Sequence, residues 1–138
     1  MSIFVDQNET FTINVYYKEN RNENGELENF DVCGEPKADY KQITAKFCQP
    51  SADVFGRILS EATIINHMNQ KPIMKTDVLR TFILSTLMKE WSATNDSGDV
   101  VPINTSTVSN IHVKIANYLF LQYLKKSTLD VVLLNLTE

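Results

Sequence analysis

The chain has 138 residues, of which 43% are hydrophobic and 22% charged, so it is long enough to build one core and too apolar for general disorder. Its formal net charge is −4, and it has no basic cluster larger than the pair Lys125 and Lys126, which argues against nucleic-acid binding. It has no apolar run of about eighteen residues, and its first residues lack a secretory signal, so we expect one domain, residues 1–138, that is made in a cytoplasm and binds no membrane.

The first part of the chain, residues 1–49, is predicted to be β-rich. Side chains alternate between apolar and polar from Phe11 to Tyr17, a period of two that is typical of a half-buried strand. The polar segment 18–28 contains Asn24 and Gly25, a strong turn pair, and is expected to be a mobile hairpin tip or loop. A short strand at 30–33 and an alternating strand at 43–48 complete a small antiparallel sheet.

In the second part, residues 50–126, apolar residues recur with a period of about 3.6, which indicates helices. Ser51 is placed to cap a first helix whose apolar stripe runs from Val54 to Ile65. Thr76 and Asp77 supply the cap and a first-turn acid of a second helix, which ends in Trp91. After a turn at 95–99 and an extended arm at 100–103, Asn104 and Thr105 supply the cap of a third helix, whose stripe includes His112 and reaches Tyr123. The predicted fold class is therefore α+β, a small N-terminal antiparallel sheet followed by a three-helix bundle-like half.

The last part, residues 127–138, is an apolar C-terminal tail. Two alternatives remain open for it: the tail docks on its own domain, or it meets another subunit and makes an oligomer. Trp91, the only tryptophan, is either a core anchor or a partner contact. The candidate partner-binding residues are Leu129, Val131, Val132, Leu133, Leu134, Leu136 and Trp91.

The sequence contains no recognisable catalytic motif or metal-binding motif. Neither of the two histidines, His67 and His112, belongs to a nucleophile motif, and His112 is expected to be a core residue. Segment 95–99 resembles a calcium loop only superficially, because the distal Glu is missing. Cys33 and Cys48 are fifteen residues apart, so they are read as free thiols, with a disulfide as the alternative. We expect no enzyme, no cofactor and no metal ion.

Two stretches of the sequence, 43–51 and 87–104 followed by the third helix, resemble small tail-assembly proteins of tailed bacteriophages, and the resemblance covers residues 43 to about 120. In that family a strand ending in Phe-x-x-Pro-Ser/Thr enters a helix, and a later helix ends in Trp before a Gly-containing turn, a Val-Pro-Ile/Val arm and a capped helix. The matching residues are Phe47, Pro50, Ser51, Trp91, Asp96, Gly98, Val101, Pro102 and Ile103.

The resemblance implies a non-enzymatic tail or baseplate assembly protein, either a chaperone or a small structural subunit of the virion. Its partners would be other phage structural proteins, such as tail, hub or tape-measure proteins, in the host cytoplasm during assembly or in the virion. The alternative is a small acidic phage-encoded regulator or inhibitor of a host protein. The acidic residues clustered between Glu19 and Asp39 are the basis of this alternative.

Overall fold

A computed structural model describes residues 3–130 and residue 132 of the chain. The fold is α+β, as predicted, with a four-stranded antiparallel sheet and helices packed on it. In chain order the elements are β1 (Thr10–Arg21), β2 (Leu27–Cys33), β3 (Lys41–Cys48), α1 (Ala52–Ala62), β4 (Thr63–Ile65), β5 (Pro72–Met74), α2 (Thr76–Thr86), β6 (Met88–Trp91), α3 (Thr105–Asn110) and α4 (Val113–Lys126).

The main sheet has the strand order β2-β1-β3-β6, and every neighbouring pair is antiparallel. Ile13 faces Ala45 and Val15 faces Ile43 across β1 and β3, and all four side chains are buried. The alternate residues of β1, such as Asn14, are exposed on the other face. Strict alternation thus gives the sheet one apolar face, as the sequence predicts.

Helix α4 covers that apolar face and contacts β1 and β2. Tyr123 is completely buried, and its hydroxyl donates a hydrogen bond of 3.0 Å to the carbonyl oxygen of Cys48 at the end of β3. Its ring also packs on Phe11, with ring centroids 5.7 Å apart. The hydroxyl fixes where the helix lies along the sheet, because its hydrogen bond is made inside the core.

The segment between 18 and 28 is mostly strand rather than loop. Strand β1 continues to Arg21, and β2 starts at Leu27, so the turn is only five residues long. The side-chain oxygen of Asn22 accepts hydrogen bonds from the backbone N–H groups of Asn24 and Glu26, each 2.9 Å long, and Gly25 adopts a φ of 80°. The predicted turn dipeptide does form the turn, and the strands extend further because they pair with each other.

The second helix does not reach Trp91. Helix α2 ends at Thr86, and Met88–Trp91 forms the edge strand β6 of the main sheet. The prediction was wrong because Leu87, Met88 and Trp91 are buried against β3 rather than along a helix. The backbone N–H of Cys48 donates to the carbonyl of Leu87 over 3.0 Å, a long-range bond that sequence periodicity cannot reveal.

The predicted third helix is divided into α3 and α4, so the described part of the chain has four helices. Ile111 between them is extended, with φ −69° and ψ 151°. His112 is the N-cap of α4, and its Nδ1 accepts a hydrogen bond of 3.1 Å from the backbone N–H of Lys114. His112 is therefore a half-buried capping residue and not a residue of the inner stripe, because an imidazole nitrogen can satisfy the free N–H groups of a first turn.

The caps predicted for the first and third helices are confirmed. The cap predicted at Thr76 and Asp77 is wrong, because both residues lie inside α2, whose N-cap is Lys75 without a side-chain capping hydrogen bond. The hydroxyl of Ser51 accepts from the backbone N–H of Val54 at 3.2 Å, directly after Pro50 ends β3. Asn104 and Thr107 form a reciprocal capping box at the start of α3, with a side-chain to backbone distance of 2.9 Å. The first helix itself is shorter than predicted, since it ends at Ala62 and is followed by a second, two-stranded sheet.

Candidate functional site

Residues 63–74, between α1 and α2, form the β4–β5 hairpin. Ile64 lies opposite Ile73, and Ile65 lies opposite Pro72. At the base, the backbone N–H of Lys75 donates to the carbonyl of Ala62 over 2.6 Å, which joins the ends of the two flanking helices. The hairpin therefore has a fixed origin on the helical layer and is separate from the main sheet.

The tip of the hairpin is held by its asparagines. The backbone N–H of Asn66 donates to the carbonyl of Lys71 over 2.9 Å. The carbonyl of Asn66 accepts from the backbone N–H of Gln70 over 2.8 Å. The Asn66 side chain accepts from the N–H of Met68 over 2.9 Å, and the Asn69 side chain accepts from the N–H of Lys71 over 3.0 Å. These Asx-type contacts give the tip a defined shape without any help from the rest of the molecule.

This hairpin exposes large apolar side chains on both faces. Of the twelve exposed large hydrophobic residues among those that the structure describes, four lie within these twelve positions: Ile64 (49% exposed), Ile65 (52%), Met68 (95%) and Ile73 (43%). Because successive strand residues point to opposite faces, Ile64 and Ile65 lie on different sides of the hairpin. A concentration of exposed apolar surface of this kind is typical of a protein-binding site.

The hairpin is also positively charged. It carries Lys71, Lys75 follows it directly, and neither Asp nor Glu occurs between positions 63 and 75. Neither lysine forms an ion pair with any other residue in the part of the chain that the structure describes. An apolar surface with unneutralised positive charges at its edge favours a partner that is apolar and acidic.

The residues that the sequence analysis predicts to bind a partner do not lie on the β4–β5 hairpin. Trp91 is 6% exposed, and its Nε1–H donates to the carbonyl oxygen of Val101 over 2.6 Å, so it anchors the arm after β6 to the core. Leu129 is 2% exposed and packs in the core, which is the self-docking alternative for this position. Val132 is 44% exposed. Val131, Leu133, Leu134 and Leu136 lie outside the described residues.

Sequence reasoning missed the hairpin, although a signal for it exists. Thr63, Ile64 and Ile65 are three consecutive β-branched residues, which favour strand over helix. They are followed by the Asn-rich turn 66–70 and by Pro72, which cannot occupy the middle of a helix. Because Ile65 continues the apolar stripe of the first helix at the correct spacing, helical periodicity alone conceals this signal.

A cleft of about 370 Å³ lies beside His112 and Phe30. The His112 ring stacks on Phe30 with centroids 3.8 Å apart, and Phe30 stacks on Tyr17 at 5.7 Å. Within the described part of the chain, no hydroxyl or thiol is hydrogen-bonded to His112 or to His67. The stack orders the start of α4 against the sheet, and no nucleophile–base pair is assembled there.

The loop between β2 and β3 is tied to β2 by a hydrogen-bonded polar pair. The Tyr40 hydroxyl donates to the carboxylate of Asp31 in β2. This bond lowers the pKa of Asp31, with a smaller contribution in the same direction from Lys37, and raises the pKa of Tyr40 to about 12. Lys37 also lies 5.5 Å from the Tyr40 ring centroid. The pair holds the loop onto the edge of the sheet.

Residues 3–130 and 132 contain neither a metal-ligand cluster nor a membrane-spanning helix. No group of three or more His, Cys, Asp or Glu side chains there is arranged to hold a metal ion. No helix in that range is both long enough and apolar enough to cross a membrane. Both cysteines are free, Cys48 buried and Cys33 half-buried.

Comparison with protein-family models, curated proteins and solved structures gives no match to this chain. The exposed, positively charged β4–β5 hairpin is a feature that the fold itself does not require, since its isoleucines lie outside the core.

Proposed function

We propose that this chain is a non-enzymatic protein that acts by binding other proteins during assembly of a phage tail or baseplate, as a chaperone or as a small structural subunit. The observation that carries the proposal is the β4–β5 hairpin, which presents Ile64, Ile65, Met68 and Ile73 to solvent. Side chains exposed in this way add nothing to the core, whereas a docking surface requires apolar residues that a partner can reach.

The free energy that burial of these side chains would contribute to a complex is large enough for a binding role. Full burial of an Ile or Met side chain contributes about 1.5–3 kcal/mol. Ile64 and Ile73 each have about half of their surface left to bury, and Met68 has nearly all of it. A partner that covers the hairpin therefore gains several kcal/mol of apolar burial, which is enough for the core of a specific contact.

The phage setting is supported by the resemblance of stretches 43–51 and 87–104 to tail-assembly proteins. The residues that carry this resemblance form well-defined junctions. Pro50 and Ser51 turn the chain from β3 into α1, and Pro102 leads from β6 into the capped helix α3. The family pattern differs at Trp91, which ends a strand here and not a helix. The proposed partners are tail, hub or tape-measure proteins, met in the host cytoplasm or in the virion.

Affinity capture from phage-infected cells tests this proposal. The tagged chain is compared with an Ile64→Thr/Ile73→Thr variant and with a control, Val113→Thr/Leu121→Thr, which changes two residues of similar exposure, 55% and 52%, on α4. We expect the unmodified chain and the control to retain tail, hub or tape-measure proteins identified by mass spectrometry, and the hairpin variant to lose them. Capture of host metabolic enzymes alone, or equal capture by all three chains, would contradict the proposal.

The second candidate function is an acidic inhibitor of a basic host protein. It is favoured by the tip of the β1–β2 hairpin (residues 19–28), where Glu23, Glu26 and Glu28 are all exposed. In that case Glu23→Gln/Glu28→Gln would abolish capture of a host protein, and the Ile64→Thr/Ile73→Thr variant would retain it. The opposite pattern favours the assembly protein.

A further inference from the structure

We infer that the β4–β5 hairpin of one copy docks on the tip of the β1–β2 hairpin of a second copy, so that the chain associates head to tail. The inference rests on the proposed function, because it names a second copy as one of the proteins that the hairpin binds. It is argued from the charges and the exposed apolar residues of the two hairpins.

The tip of the β1–β2 hairpin is acidic and partly apolar. Glu19, Glu23, Glu26 and Glu28 are exposed, and Leu27 between two of them is 45% exposed. Glu19 is paired with Arg21 at 3.2 Å, and Glu26 accepts a long contact from the Asn22 amide. Glu23 and Glu28 have no cationic partner among the described residues. The tip therefore offers two unneutralised carboxylates beside an exposed leucine.

The β4–β5 hairpin offers the opposite charge. Lys71 and Lys75 have no anionic partner in the described part of the chain, and they lie at the edge of the Ile64 and Ile73 pair. The contrast extends to the whole sequence: residues 1–40 carry a formal charge of −6, and residues 41–138 carry +2, which together give the net −4. Each hairpin thus has the charge that the other lacks, and both expose apolar side chains.

Charge also decides between two ways in which copies could meet. In a two-fold symmetric contact the β4–β5 hairpins would face each other, which would bring Lys71 of one copy close to Lys71 of the other. Like charges at close range oppose that arrangement. A contact between two different surfaces avoids this repulsion and leaves one free hairpin at each end, so it can close into a ring or continue as a chain.

The contact is small and depends on charge, so we expect it to be weak and sensitive to salt. Two hairpins bury less than a standard interface of about 1,600 Å². Raising the ionic strength from about 0.1 M to about 1 M shortens the Debye length from about 10 Å to about 3 Å, so the ion pairs are screened. Association driven by apolar burial alone would not weaken in this way.

Sedimentation velocity of the purified full-length chain tests the inference with two charge reversals. One variant is Lys71→Glu/Lys75→Glu and the other is Glu23→Lys/Glu28→Lys. We expect the unmodified chain to associate at low salt, and each variant alone to associate at least about tenfold more weakly. An equimolar mixture of the two variants regains association, because each then supplies the charge that the other has lost. A Lys89→Glu/Lys125→Glu control, which changes two exposed lysines elsewhere, should behave as the unmodified chain.

Several results would overturn the inference: an unmodified chain that stays monomeric at low salt, reversals that leave association unchanged, a control that weakens it equally, or a mixture that does not recover. The outcome is separable from that of the capture experiment. A monomeric chain that still retains tail proteins refutes the head-to-tail contact and leaves the proposed function standing. A chain that self-associates through these charges but retains no tail protein refutes the proposed function.

Discussion

Ile64 and Ile73 lie directly opposite each other across the β4–β5 hairpin, and each leaves more than two fifths of its surface in contact with solvent. The equivalent pair in the main sheet, Val15 and Ile43, is buried. Cross-strand isoleucines stabilise a hairpin locally, but here they also form an apolar surface that no other described element covers. A cross-strand pair of β-branched residues thus builds the core in the main sheet and an exposed surface in the β4–β5 hairpin.

Substituting the exposed pair should cost little stability. We expect Ile64→Thr/Ile73→Thr to lower the free energy of unfolding by about 1 kcal/mol or less, because only a cross-strand contact is weakened. Ile58→Ala, at a completely buried position of α1, should cost about 2–5 kcal/mol. Chemical denaturation measures both. Equal losses would mean that the hairpin pair belongs to the core.

Gly34 has no room for a side chain. A Cβ at this position would overlap the Tyr118 hydroxyl oxygen, and it would lie 3.3 Å from the ring carbon that carries this hydroxyl. We therefore expect Gly34→Ala to destabilise the protein and Tyr118→Phe to relieve most of that loss in the double variant. Gly56→Ala is the matched control, since nothing lies within 4 Å there and alanine favours the helix by about 0.5–1 kcal/mol. A double variant no more stable than Gly34→Ala would contradict the steric explanation.

The Asp31 and Tyr40 pair should be visible in an acid titration. Because folding lowers the pKa of Asp31, its stabilisation is complete above the ordinary value of 3.8 and is lost as the pH falls through the folded value. Tyr40→Phe removes the main cause, so the pKa of Asp31 should rise towards 3.8 when followed by carboxyl NMR. Tyr16→Phe, on the neighbouring strand, should leave it unchanged. An Asp31 pKa that does not respond to Tyr40→Phe would show that the hydrogen bond is not its cause.

Tyr123 should make the protein sensitive to alkali. Burial raises the pKa of its hydroxyl above the ordinary 10.0, so the folded chain keeps a proton that the unfolded chain loses. Stability is then complete below pH 10.0 and falls as the pH rises above it. At neutral pH, Tyr123→Phe should cost about 1–3 kcal/mol, since it leaves the Cys48 carbonyl without its partner. Denaturation of both chains at neutral and alkaline pH tests this, and an unchanged alkaline loss in the variant would contradict it.

The parts of the fold that were predicted correctly are those specified by neighbouring residues. The alternation from Phe11 to Tyr17 fixes the buried face of β1, and Ser51 and Asn104 each cap the helix that follows them. These are local rules, in which a side chain acts on groups within a few positions. They require no knowledge of the tertiary structure.

The parts that were missed depend on distant contacts. Leu87 to Trp91 has helical spacing, and only its pairing with β3, more than forty residues earlier, makes it a strand. The β4–β5 hairpin could not be predicted for the same reason. Ile65 continues the apolar stripe of the first helix in sequence, and the exposure of the hairpin depends on how α1 and α2 pack. Burial of Trp91 and Leu129 is one of the two alternatives that the sequence leaves open for each, and tertiary packing decides between them.

The most direct test of the docking hairpin is site-specific photo-crosslinking in phage-infected cells. A photoreactive phenylalanine analogue replaces Met68, which is 95% exposed at the hairpin tip, and in a second chain it replaces Leu121, which is 52% exposed on α4. We predict crosslinks to tail, hub or tape-measure proteins, or to a second copy of the chain, from position 68 and none from position 121. Crosslinks from position 121 alone, or none from position 68, would contradict the assignment of the hairpin as the docking surface.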